Sequence, residues 1–353
     1  MSVTITLSQA IHRYLLPWTQ HDWPLDWNQL FTKSQPLVLE IGFGNGAFLL
    51  DQAINNPEKN FIGIERSWGS LQRLVKLLHK ANLKNALVLD GDAVWQMEHV
   101  FAPDALSEVF INFSDPWPKE RHHSRRLIQP AFIQRLSECM KMNATVTIAT
   151  DHQDYAAWIQ EVLASQTILE SVHETPAVHQ IEGRTPTKYE QKALAQGALI
   201  HYFVWHKVTA TPSARTHTKK VTDMPNVLLQ GEVSSTELLD VLQHQSWMEQ
   251  HQDVDIIIKV ENVYQAVAGQ NGMLELLVKE GSFSQQIGVL VGIEEDGKVL
   301  LKPASLGYPR PTWGVKRAIW HLANTLIQHH PQLQVKSSTV GELGVETIEG
   351  TTP

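Results

Sequence analysis

The sequence predicts an α/β domain built on a doubly wound, mostly parallel sheet, followed by a smaller α+β domain. Between residues 36 and 208, short apolar runs alternate with helical patterns, which is typical of parallel strands with helices on both faces. A glycine-rich turn at 42–46 joins the first apolar run to the first helical pattern. The chain has 353 residues, which is enough for two separate cores.

The first domain is predicted over residues 1–208, with a Trp-rich, helical or irregular extension over 1–35. Strands are expected at 36–41, 60–64, 86–89, 108–112 and 144–149. Helices are expected at 47–54, 68–80, 129–141 and 152–164, with a short one from Ala93. The apolar runs 168–172 and 199–207 flank a long loop without a helical pattern, so we expect them to close the sheet as an antiparallel pair.

The second domain is predicted over residues 228–353, after a polar and mildly basic linker at 209–227. Its predicted elements are a helix near 235–249, strands near 254–260, 273–279, 286–293 and 298–302, and a helix near 314–329. Several strands bracketed by helices indicate an α+β domain.

Composition narrows the class of protein. The chain has neither an apolar run of membrane-spanning length nor the pattern of a signal peptide, so we expect a cytoplasmic protein without a membrane partner. Its single cysteine, Cys139, excludes an internal disulfide and a cysteine-based zinc cluster. The histidines indicate no metal site, because adjacent pairs such as His122-His123 rarely share one ion. The sequence does not indicate the oligomeric state.

The glycine-rich turn is a candidate nucleotide site. Gly42, Gly44 and Gly46 follow a predicted strand, and glycines let backbone amides approach a ligand closely. The same spacing satisfies the G-x-G-x-x-A pattern of dinucleotide-binding oxidoreductases, which leaves a nicotinamide-dependent enzyme open here. Glu65, which closes the second predicted strand, suits a ribose diol in either case.

The acidic residues favour S-adenosylmethionine as the cofactor. Glu40 precedes the glycines, and Asp92 follows the third predicted strand, where it could hold an adenine amino group. An acidic lining suits a sulfonium cation and would repel a pyrophosphate. Two alternatives stay open: Glu40 and Glu65 as strand-end acids in solvent, and Asp92 as a helix N-cap, which is compatible with a ligand role.

The segment 112–126 is the candidate substrate face. Asp115 follows the fourth predicted strand in a turn made rigid by two prolines. A carboxylate beside an aromatic ring is suited to binding a nucleobase, and clustered cations are suited to binding phosphates. The four cations are Lys119, Arg121, Arg125 and Arg126. Ligands of open α/β sheets bind at the carboxyl ends of the strands, which is where this segment lies.

Each of these residues also has a plain structural interpretation. Asp115 could cap a turn, Arg125 and Arg126 could be a solvated helix face, and Asp151 could be a helix N-cap. Composition alone favours an ordinary surface loop at 187–190. The tetrad 114–117, however, resembles the acid-Pro-Pro-aromatic motif of enzymes that methylate exocyclic amines, with Trp117 in place of the second proline.

Several motifs occur together in a fixed order along the chain. They are Glu40 to Gly46, Gly63-Ile64-Glu65, Gly91-Asp92-Ala93, Asp115 to Lys119 with Arg121-His122-His123, Thr150-Asp151, and Thr187-Lys188-Tyr189-Glu190. In these motifs the chain resembles the bacterial tRNA (guanine-N7-)-methyltransferases, over roughly residues 30–207. The resemblance implies a class I S-adenosylmethionine-dependent methyltransferase fold and tRNA as the partner. Residues 211–353 lie outside it.

The resemblance also implies roles for individual residues. Cofactor contacts fall to Glu40, Gly42, Gly44, Gly46, Glu65, Asp92 and Asp115, with Asp115 as the catalytic residue. Substrate contacts fall to Lys119, Arg121, His122, His123, Ser124, Arg125, Arg126, Asp151, Thr187, Lys188, Tyr189 and Glu190. The implied product is 7-methylguanine at position 46 of the tRNA variable loop.

Two departures from the family pattern bear on RNA binding. The family usually has Lys at the position of Glu120, and often a cation at the position of Ser124. Three other functions stay open from the residues: a methyltransferase for another RNA base or an exocyclic amine, a nicotinamide-dependent oxidoreductase, and a non-catalytic RNA-binding module.

Overall fold

The computed structural model describes residues 7–18, 21–184, 186–210, 224–251, 254–267, 270–281, 283–293, 297–304 and 309–341. The chain divides into two compact units, of which the first comprises Met1–Trp18 and Trp23–Thr218 and the second the rest. No helix in the described ranges has the length and apolar character needed to cross a lipid bilayer. Most of the linker predicted at 209–227 lies outside the described residues.

The first unit contains the predicted doubly wound sheet. Its strands are β1 (Leu37–Ile41), β2 (Asn60–Glu65), β3 (Ala86–Asp90), β4 (Leu106–Asn112), β5 (Met140–Thr150), β6 (Leu169–Ser171) and β7 (His201–Lys207). Their order across the sheet is β3-β2-β1-β4-β5-β7-β6. The central strands are parallel, and β7 runs antiparallel to both β5 and β6, which confirms the expected antiparallel closure.

Helices cover both faces of this sheet. They are α1 (Leu7–Tyr14), α2 (Trp27–Leu30), α3 (Ala47–Asn55), α4 (Trp68–Lys80), α5 (Ala93–His99), α6 (Pro130–Cys139), α7 (Gln153–Ala164) and α8 (Lys188–Ala195). A 3₁₀ helix covers Glu120–Arg125. Helix α4 buries the predicted apolar face of Leu71, Leu74, Val75 and Leu78. Helix α8 was not predicted: it lies in the long loop between β6 and β7.

The Trp-rich extension packs against α5. Trp18 and Trp23 lie 5.4 and 5.2 Å from Trp95, measured between ring centroids. Trp18 Nε1 also donates to the carbonyl of Asp90, at the end of β3. Buried aromatic rings supply large apolar contact areas, so this cluster fixes the start of α5 beside the carboxyl end of the sheet.

The second unit is an antiparallel sheet with two helices, which confirms the predicted α+β class. Its elements are β8 (Val227–Gln230), α9 (Ser235–Leu242), β9 (Ser246–His251), β10 (Val254–Gln265), β11 (Gly272–Glu280), β12 (Phe283–Ile293), β13 (Lys298–Pro303), α10 (Trp313–His329) and β14 (Gln334–Ser338). The strand order is β14-β8-β13-β12-β11-β10-β9. One core joins both helices to the sheet, with Leu239, Leu276 and Leu322 among its buried residues.

The helix predicted at 235–249 is too long, because residues 246–251 form strand β9. Every second residue of β9 meets a residue of α10. Glu249 accepts two hydrogen bonds from Arg317 Nε, at 2.8 and 3.0 Å, and the rings of His251 and Trp313 stack at 4.1 Å. Strand β9 therefore contacts a helix some 70 residues further along the chain, in addition to its antiparallel pairing with β10. Strands β8 and β14 were also not predicted.

Candidate active site at the carboxyl edge of the first sheet

Four acids lie at the carboxyl edge of the parallel strands. Glu40 lies on β1, Glu65 ends β2, Asp92 follows β3, and Asp115 follows β4. Because β2 and β4 flank β1, Glu65 and Asp115 follow strands that are about 10 Å apart, twice the usual strand spacing. The strand order reverses between β1 and β4, and such a point is where open α/β sheets bind ligands.

The glycine turn after β1 leaves space at this edge. Gly42, Gly44 and Gly46 have φ angles of 70°, 52° and 73°, in the left-handed region that favours glycine. A Cβ atom at Gly42 or Gly44 would meet no atom within 4 Å, whereas one at Gly46 would come within 2.8 Å of Leu74. The first two glycines therefore border open space, and the third permits close packing of the turn on α4.

Backbone amides fix the Glu65 carboxylate. It accepts hydrogen bonds from the N–H groups of Gly44, Arg66 and Ser67, at 3.0, 2.8 and 3.0 Å. Three such bonds hold a carboxylate in one orientation without any side-chain partner. Glu65 is thus tied to the glycine turn on one side and to the start of α4 on the other.

Asp92 is the N-cap of α5. Its Oδ1 accepts a hydrogen bond from the Trp95 N–H at 3.1 Å, which confirms the helix-cap interpretation. Its Oδ2 lies 3.5 Å from Nη1 of Arg66, whose side chain is exposed. The cap fixes one carboxylate oxygen, and the other, whose arginine partner is exposed, lies on the side that could face a ligand.

Glu40 is buried, so the solvent interpretation of this acid is wrong. Only 4% of its surface is exposed. Its Oε1 accepts a hydrogen bond from Asn112 Nδ2 at 3.1 Å, and its Oε2 is buried without a hydrogen-bond partner among the described residues. Burial raises the pKa of Glu40 to about 7, against the opposing effects of Asn112 and Arg184. An unpaired buried carboxylate oxygen fits a ligand that brings a positive charge or an N–H donor.

Arg184 connects this acid to the segment 187–190. Its Nη2 donates to Asn112 Oδ1 at 2.6 Å, and its Nε donates to Glu190 Oε1 at 3.3 Å. Its guanidinium also lies over the rings of Phe48 and Tyr202, at 5.0 and 5.2 Å. Arg184 was not predicted from the sequence to be part of the site, because a single cation in a polar loop carries no distinguishing pattern.

The segment 187–190 begins helix α8 and is not the surface loop that composition alone favoured. Thr187 and Glu190 form a capping box, in which Thr187 Oγ1 accepts from the Glu190 N–H and Glu190 Oε2 accepts from the Thr187 N–H, both at 3.0 Å. Glu190 is 2% exposed, and its carboxylate is also hydrogen-bonded by Tyr202 and Arg184. Lys188 starts the helix, and its side chain lies outside the described part of the chain.

Asp151 faces Tyr189 and not a helix end. The N-cap of α7 is His152, whose Nδ1 accepts from the Tyr155 N–H, so the N-cap interpretation of Asp151 is wrong. Tyr189 Oη donates to Asp151 Oδ2 at 3.4 Å, and the Asp151 carboxylate raises the pKa of this tyrosine. The Tyr189 ring lies 4.8 Å from that of Phe113, yet the residue stays 55% exposed. Asp151 and Tyr189 therefore border the turn that carries Asp115.

The turn that carries Asp115 is conformationally unusual. Phe113 and Trp117, on either side of it, have φ angles of 53° and 42°, which non-glycine residues rarely adopt. The Phe113 N–H donates to the carbonyl of Ala149, at the end of β5, and Ser114 Oγ lies 3.2 Å from Tyr155 Oη. Such strained turns persist where the surrounding structure fixes them, and they are common at functional sites. Asp115 itself is exposed at the edge of the sheet.

The 3₁₀ helix presents a cationic rim next to this turn. Lys119, Arg121, Ser124 and Arg125 are all exposed. The Arg125 guanidinium lies 5.2 Å from the Trp117 ring, and the His122 ring meets the same indole edge-on at 5.8 Å. Arg125 therefore keeps its charge at the surface while its position is fixed by an aromatic face.

Arg126 differs from its neighbour, because it is buried with 4% of its surface exposed. Its Nε donates to the Pro116 carbonyl at 2.9 Å, and its Nη2 lies 2.8 Å from His123 Nε2. Its guanidinium also lies over the rings of Tyr155 and Trp158. Arg126 and His123 thus brace the turn from the inside, which is not the exposed placement that a phosphate contact needs.

The described residues contain no group of three or more His, Cys, Asp or Glu side chains that could hold a metal ion. Cys139 is buried, and its Sγ lies 3.3 Å from the carbonyl oxygen of Met97, as expected for a core residue.

Fold and site together define the class of protein. A sheet in the order β3-β2-β1-β4-β5-β7-β6, with β7 antiparallel, is the architecture of class I S-adenosylmethionine-dependent methyltransferases. The glycine turn after β1 and the acids beside it form the candidate site for a methyl donor. A family model described as "Putative methyltransferase" matches residues 34–202.

Comparison with known proteins gives the family. The tRNA (guanine-N(7)-)-methyltransferase of Burkholderia lata is 40% identical over 185 residues, which cover 52% of this chain and 72% of the relative. The enzyme of the same name from Thermotoga maritima is 33% identical over 299 residues, covering 83% of this chain and 91% of the relative. The chain belongs to the tRNA (guanine-N(7)-)-methyltransferase family.

The match to the Thermotoga maritima protein is longer than residues 1–210, so it extends into the second unit. Among solved structures, an rRNA methylase from Streptococcus thermophilus is similar with a TM-score of 0.34 and 11% identity, covering 50% of this chain and 88% of that one.

Proposed function

We propose that this protein transfers the methyl group of S-adenosylmethionine to N7 of a guanine in tRNA, at position 46 of the variable loop. Membership of the family supports the reaction and the substrate class. The observation that carries the proposal is that the donor-side acids and the Asp115 turn with its cationic rim meet at one edge of one sheet. Since tRNA is the substrate, the cytoplasm is the compartment we propose.

We call the carboxyl edge of the first sheet the crevice, and the part of it that carries Glu40, Glu65 and Asp92 its donor half. The chemistry of the donor half fits S-adenosylmethionine. When bound, this cofactor supplies a methyl group on a positively charged sulfur. Glu65, held by three backbone amides, is placed to accept hydrogen bonds from the ribose hydroxyls, and Asp92 from the adenine amino group. Glu40 Oε2, which has no hydrogen-bond partner within the described ranges, gives the cationic end of the molecule a buried partner. The open space beside Gly42 and Gly44 provides room for it.

Guanine N7 carries a lone pair in the plane of the ring and no proton, so its methylation needs no base to remove one. The task of the protein is to hold N7 in line with the methyl–sulfur bond and to exclude water. Asp115 is placed to accept hydrogen bonds from N1 and N2 of guanine, which adenine cannot donate in the same pattern. Its carboxylate also stabilises the positive charge that develops on the purine ring during transfer.

The RNA backbone is assigned to the exposed rim. Lys119, Arg121 and Arg125 present three cations beside the crevice, and Ser124 adds a hydroxyl donor. Glu120 opposes them, so we expect modest and salt-sensitive affinity. Tyr189 and Asp151, on the other side of Phe113, are placed to contact the nucleotide that enters the crevice.

Two residues of the expected substrate set are assigned to support and not to direct contact. Arg126 holds the Pro116 carbonyl, and Glu190 is held by Arg184, Tyr202 and the Thr187 N–H. Both side chains are almost fully buried. In this proposal they shape the surfaces that Asp115 and Tyr189 present.

The test is methyl transfer from labelled S-adenosylmethionine to unmodified tRNA, followed by nucleoside analysis of the product. We expect 7-methylguanine as the labelled nucleoside, and loss of labelling when guanine 46 is replaced by adenine. Label in a base methylated on an exocyclic amine would instead support the alternative methyltransferase. Label that survives replacement of guanine 46 would contradict the proposed position while leaving the reaction intact.

A further inference from the structure

We infer that Arg184 is a positioning residue that holds the donor-side acid Glu40 and the substrate-side segment 187–190 in one fixed arrangement. The inference rests on the proposed function, because it takes Glu40 as part of the donor site. It assigns a role to a residue that contacts neither donor nor base in that proposal.

Arg184 reaches both halves of the crevice from a buried position. Its side chain is only 6% exposed, as is expected of an arginine only when its donors are paired. On the donor side, Nη2 lies 2.6 Å from Asn112 Oδ1, and Asn112 Nδ2 lies 3.1 Å from Glu40 Oε1. On the substrate side, Nε and Nη2 lie 3.3 and 3.4 Å from the two oxygens of Glu190.

The hydrogen bonds with Arg184 and Glu40 allow the side-chain amide of Asn112 only one orientation. A guanidinium only donates, so the atom of Asn112 that it contacts must be the amide oxygen. The amide nitrogen of Asn112 then points at Glu40 and donates to it. Without Arg184 the amide could turn over and direct its oxygen at the carboxylate. The arginine therefore sets the orientation of Glu40 through one intermediate side chain.

On the substrate side, Arg184 fixes the first turn of α8. Glu190 is the third residue of this helix, and its carboxylate caps the Thr187 N–H while it is held by Arg184 and Tyr202. The exposed Tyr189 lies between these two anchored residues, with its hydroxyl on Asp151. A planar fork that bonds two partners at once resists rotation more than a lysine ammonium does. The same fork thus orients the donor acid and the aromatic residue at the substrate side.

The pH dependence of donor binding tests the positioning role of Arg184 independently, because the charge of Arg184 affects the ionisation of Glu40. Glu40 faces Asn112 on β4, Arg184 before α8, the backbone N–H of Leu49 on α3 and Glu65 on β2; the first three favour its ionised form and Glu65 opposes it. Binding of a cationic donor favours ionised Glu40, so donor affinity should rise with pH and level off above the Glu40 pKa of about 7. Loss of the Arg184 charge should move this midpoint to higher pH.

The experiment compares Arg184→Met, Arg184→Lys and a control, Lys207→Met. Lys207 is also a buried cation, paired with Asp104 and the Met140 carbonyl, but it lies at the opposite edge of the same sheet. S-adenosylmethionine affinity is measured by calorimetry from pH 5.5 to 8.5. The kcat is measured at saturating tRNA, and folding is measured by thermal melting. tRNA affinity is measured separately.

For Arg184→Met we expect S-adenosylmethionine affinity to fall about tenfold or more, the loss typical of a charged hydrogen bond, with a higher pH midpoint. Arg184→Lys should keep the midpoint but lower kcat, because the charge remains and the fork is lost. tRNA affinity should stay within about twofold in both variants, since the exposed rim is unchanged. Lys207→Met should lower the melting temperature without moving the midpoint.

Two outcomes overturn the inference. One is an Arg184→Met protein with the wild-type midpoint and affinity. The other applies if that variant does not fold: strictly additive effects of Arg184→Lys and Asn112→Ala on kcat would show that the two residues do not act as a unit. Failure of the wild-type protein to bind S-adenosylmethionine at any pH would instead overturn the proposed function, which separates the two failures.

Discussion

The two halves of the crevice are built in different ways. In the donor half, Glu40 is buried and Glu65 and Asp92 are held by backbone amides of adjacent turns. In the acceptor half, Asp115 and the cations of the 3₁₀ helix are exposed, whereas Arg126, which follows that helix, is buried. The donor half is therefore held by contacts within the protein, whereas the acceptor half presents exposed charges, which we propose to meet the RNA. Substitutions in the two halves should differ in what they change.

The largest effect is expected for Asp115→Asn, in the acceptor half. The amide retains the shape but removes the charge that would stabilise the purine cation, and it presents a donor where guanine needs an acceptor. We expect kcat to fall by about 10²–10³, the loss usual for a group that stabilises transition-state charge. Single-turnover methylation of unmodified tRNA, with tRNA affinity measured in parallel, gives the comparison.

Glu120→Gln is the matched control, because it makes the same acid-to-amide change in an exposed residue of the adjacent 3₁₀ helix. It should leave the rate unchanged and strengthen tRNA binding slightly by removing a repulsive charge. A near-normal rate for Asp115→Asn with the same base preference would remove Asp115 from catalysis.

In the donor half, the corresponding effect is on stability and depends on pH. The pKa of Glu40 is raised by burial from 4.5 to about 7, so the donor-free folded protein binds more protons than the unfolded chain between these values. The Glu40 contribution to the free energy of unfolding should thus be fully present below pH 4.5. It should fall by about 3 kcal/mol as the pH rises to 7.

Denaturant unfolding of the wild type and Glu40→Gln across pH 4–8 isolates this contribution, because all other groups are shared. The difference between the two proteins should change over this window and be constant above pH 7.5. Saturating S-adenosylmethionine should move the transition to lower pH, since a bound cation favours the ionised carboxylate. A difference that does not depend on pH would show that Glu40 does not titrate in this range.

Arg126 and Arg125 are adjacent in the chain, but Arg126 is buried and Arg125 is exposed. Arg126→Ala removes the partner of the Pro116 carbonyl and the cation packed on Tyr155 and Trp158. We expect the free energy of unfolding to fall by about 2 kcal/mol, as for loss of a buried, hydrogen-bonded side chain. Equilibrium denaturation is the measurement, and an unchanged midpoint would contradict the bracing role.

Sequence reasoning succeeded where local pattern decides. The strands of the first sheet, the glycine turn and the Asp92 cap follow from apolar runs, glycine spacing and a strand-to-helix junction, all of which are local. It failed in two places. Residues 246–251, predicted as the end of a helix, form a strand that pairs with β10 and contacts α10, and the cap before α7 is His152, one residue beyond the expected Asp151.

The burial of a cation shows most clearly what a local sequence pattern does not reveal. From the sequence, Arg125 and Arg126 are equivalent, and only the packing of Tyr155 and Trp158 separates them. Arg184 likewise becomes part of the site because Asn112 lies 72 residues before it in the chain and beside it in the fold. A motif can place residues at a sheet edge, but it does not show which of them are buried.

The smallest expected effect is that of Arg125→Ala, and it bears most directly on the acceptor half. Arg125 is exposed over Trp117, so its loss should barely change the free energy of unfolding. If its charge meets a phosphate, tRNA affinity should fall and the slope of log affinity against log salt should decrease by about one. Arg125→Lys, which keeps the charge, should preserve the slope, whereas Arg126→Ala, once corrected for the folded fraction, should leave it close to that of the wild type. Because a stability defect alone does not change the number of counterions released, an unchanged slope in Arg125→Ala would place the phosphate contact at Lys119 or Arg121.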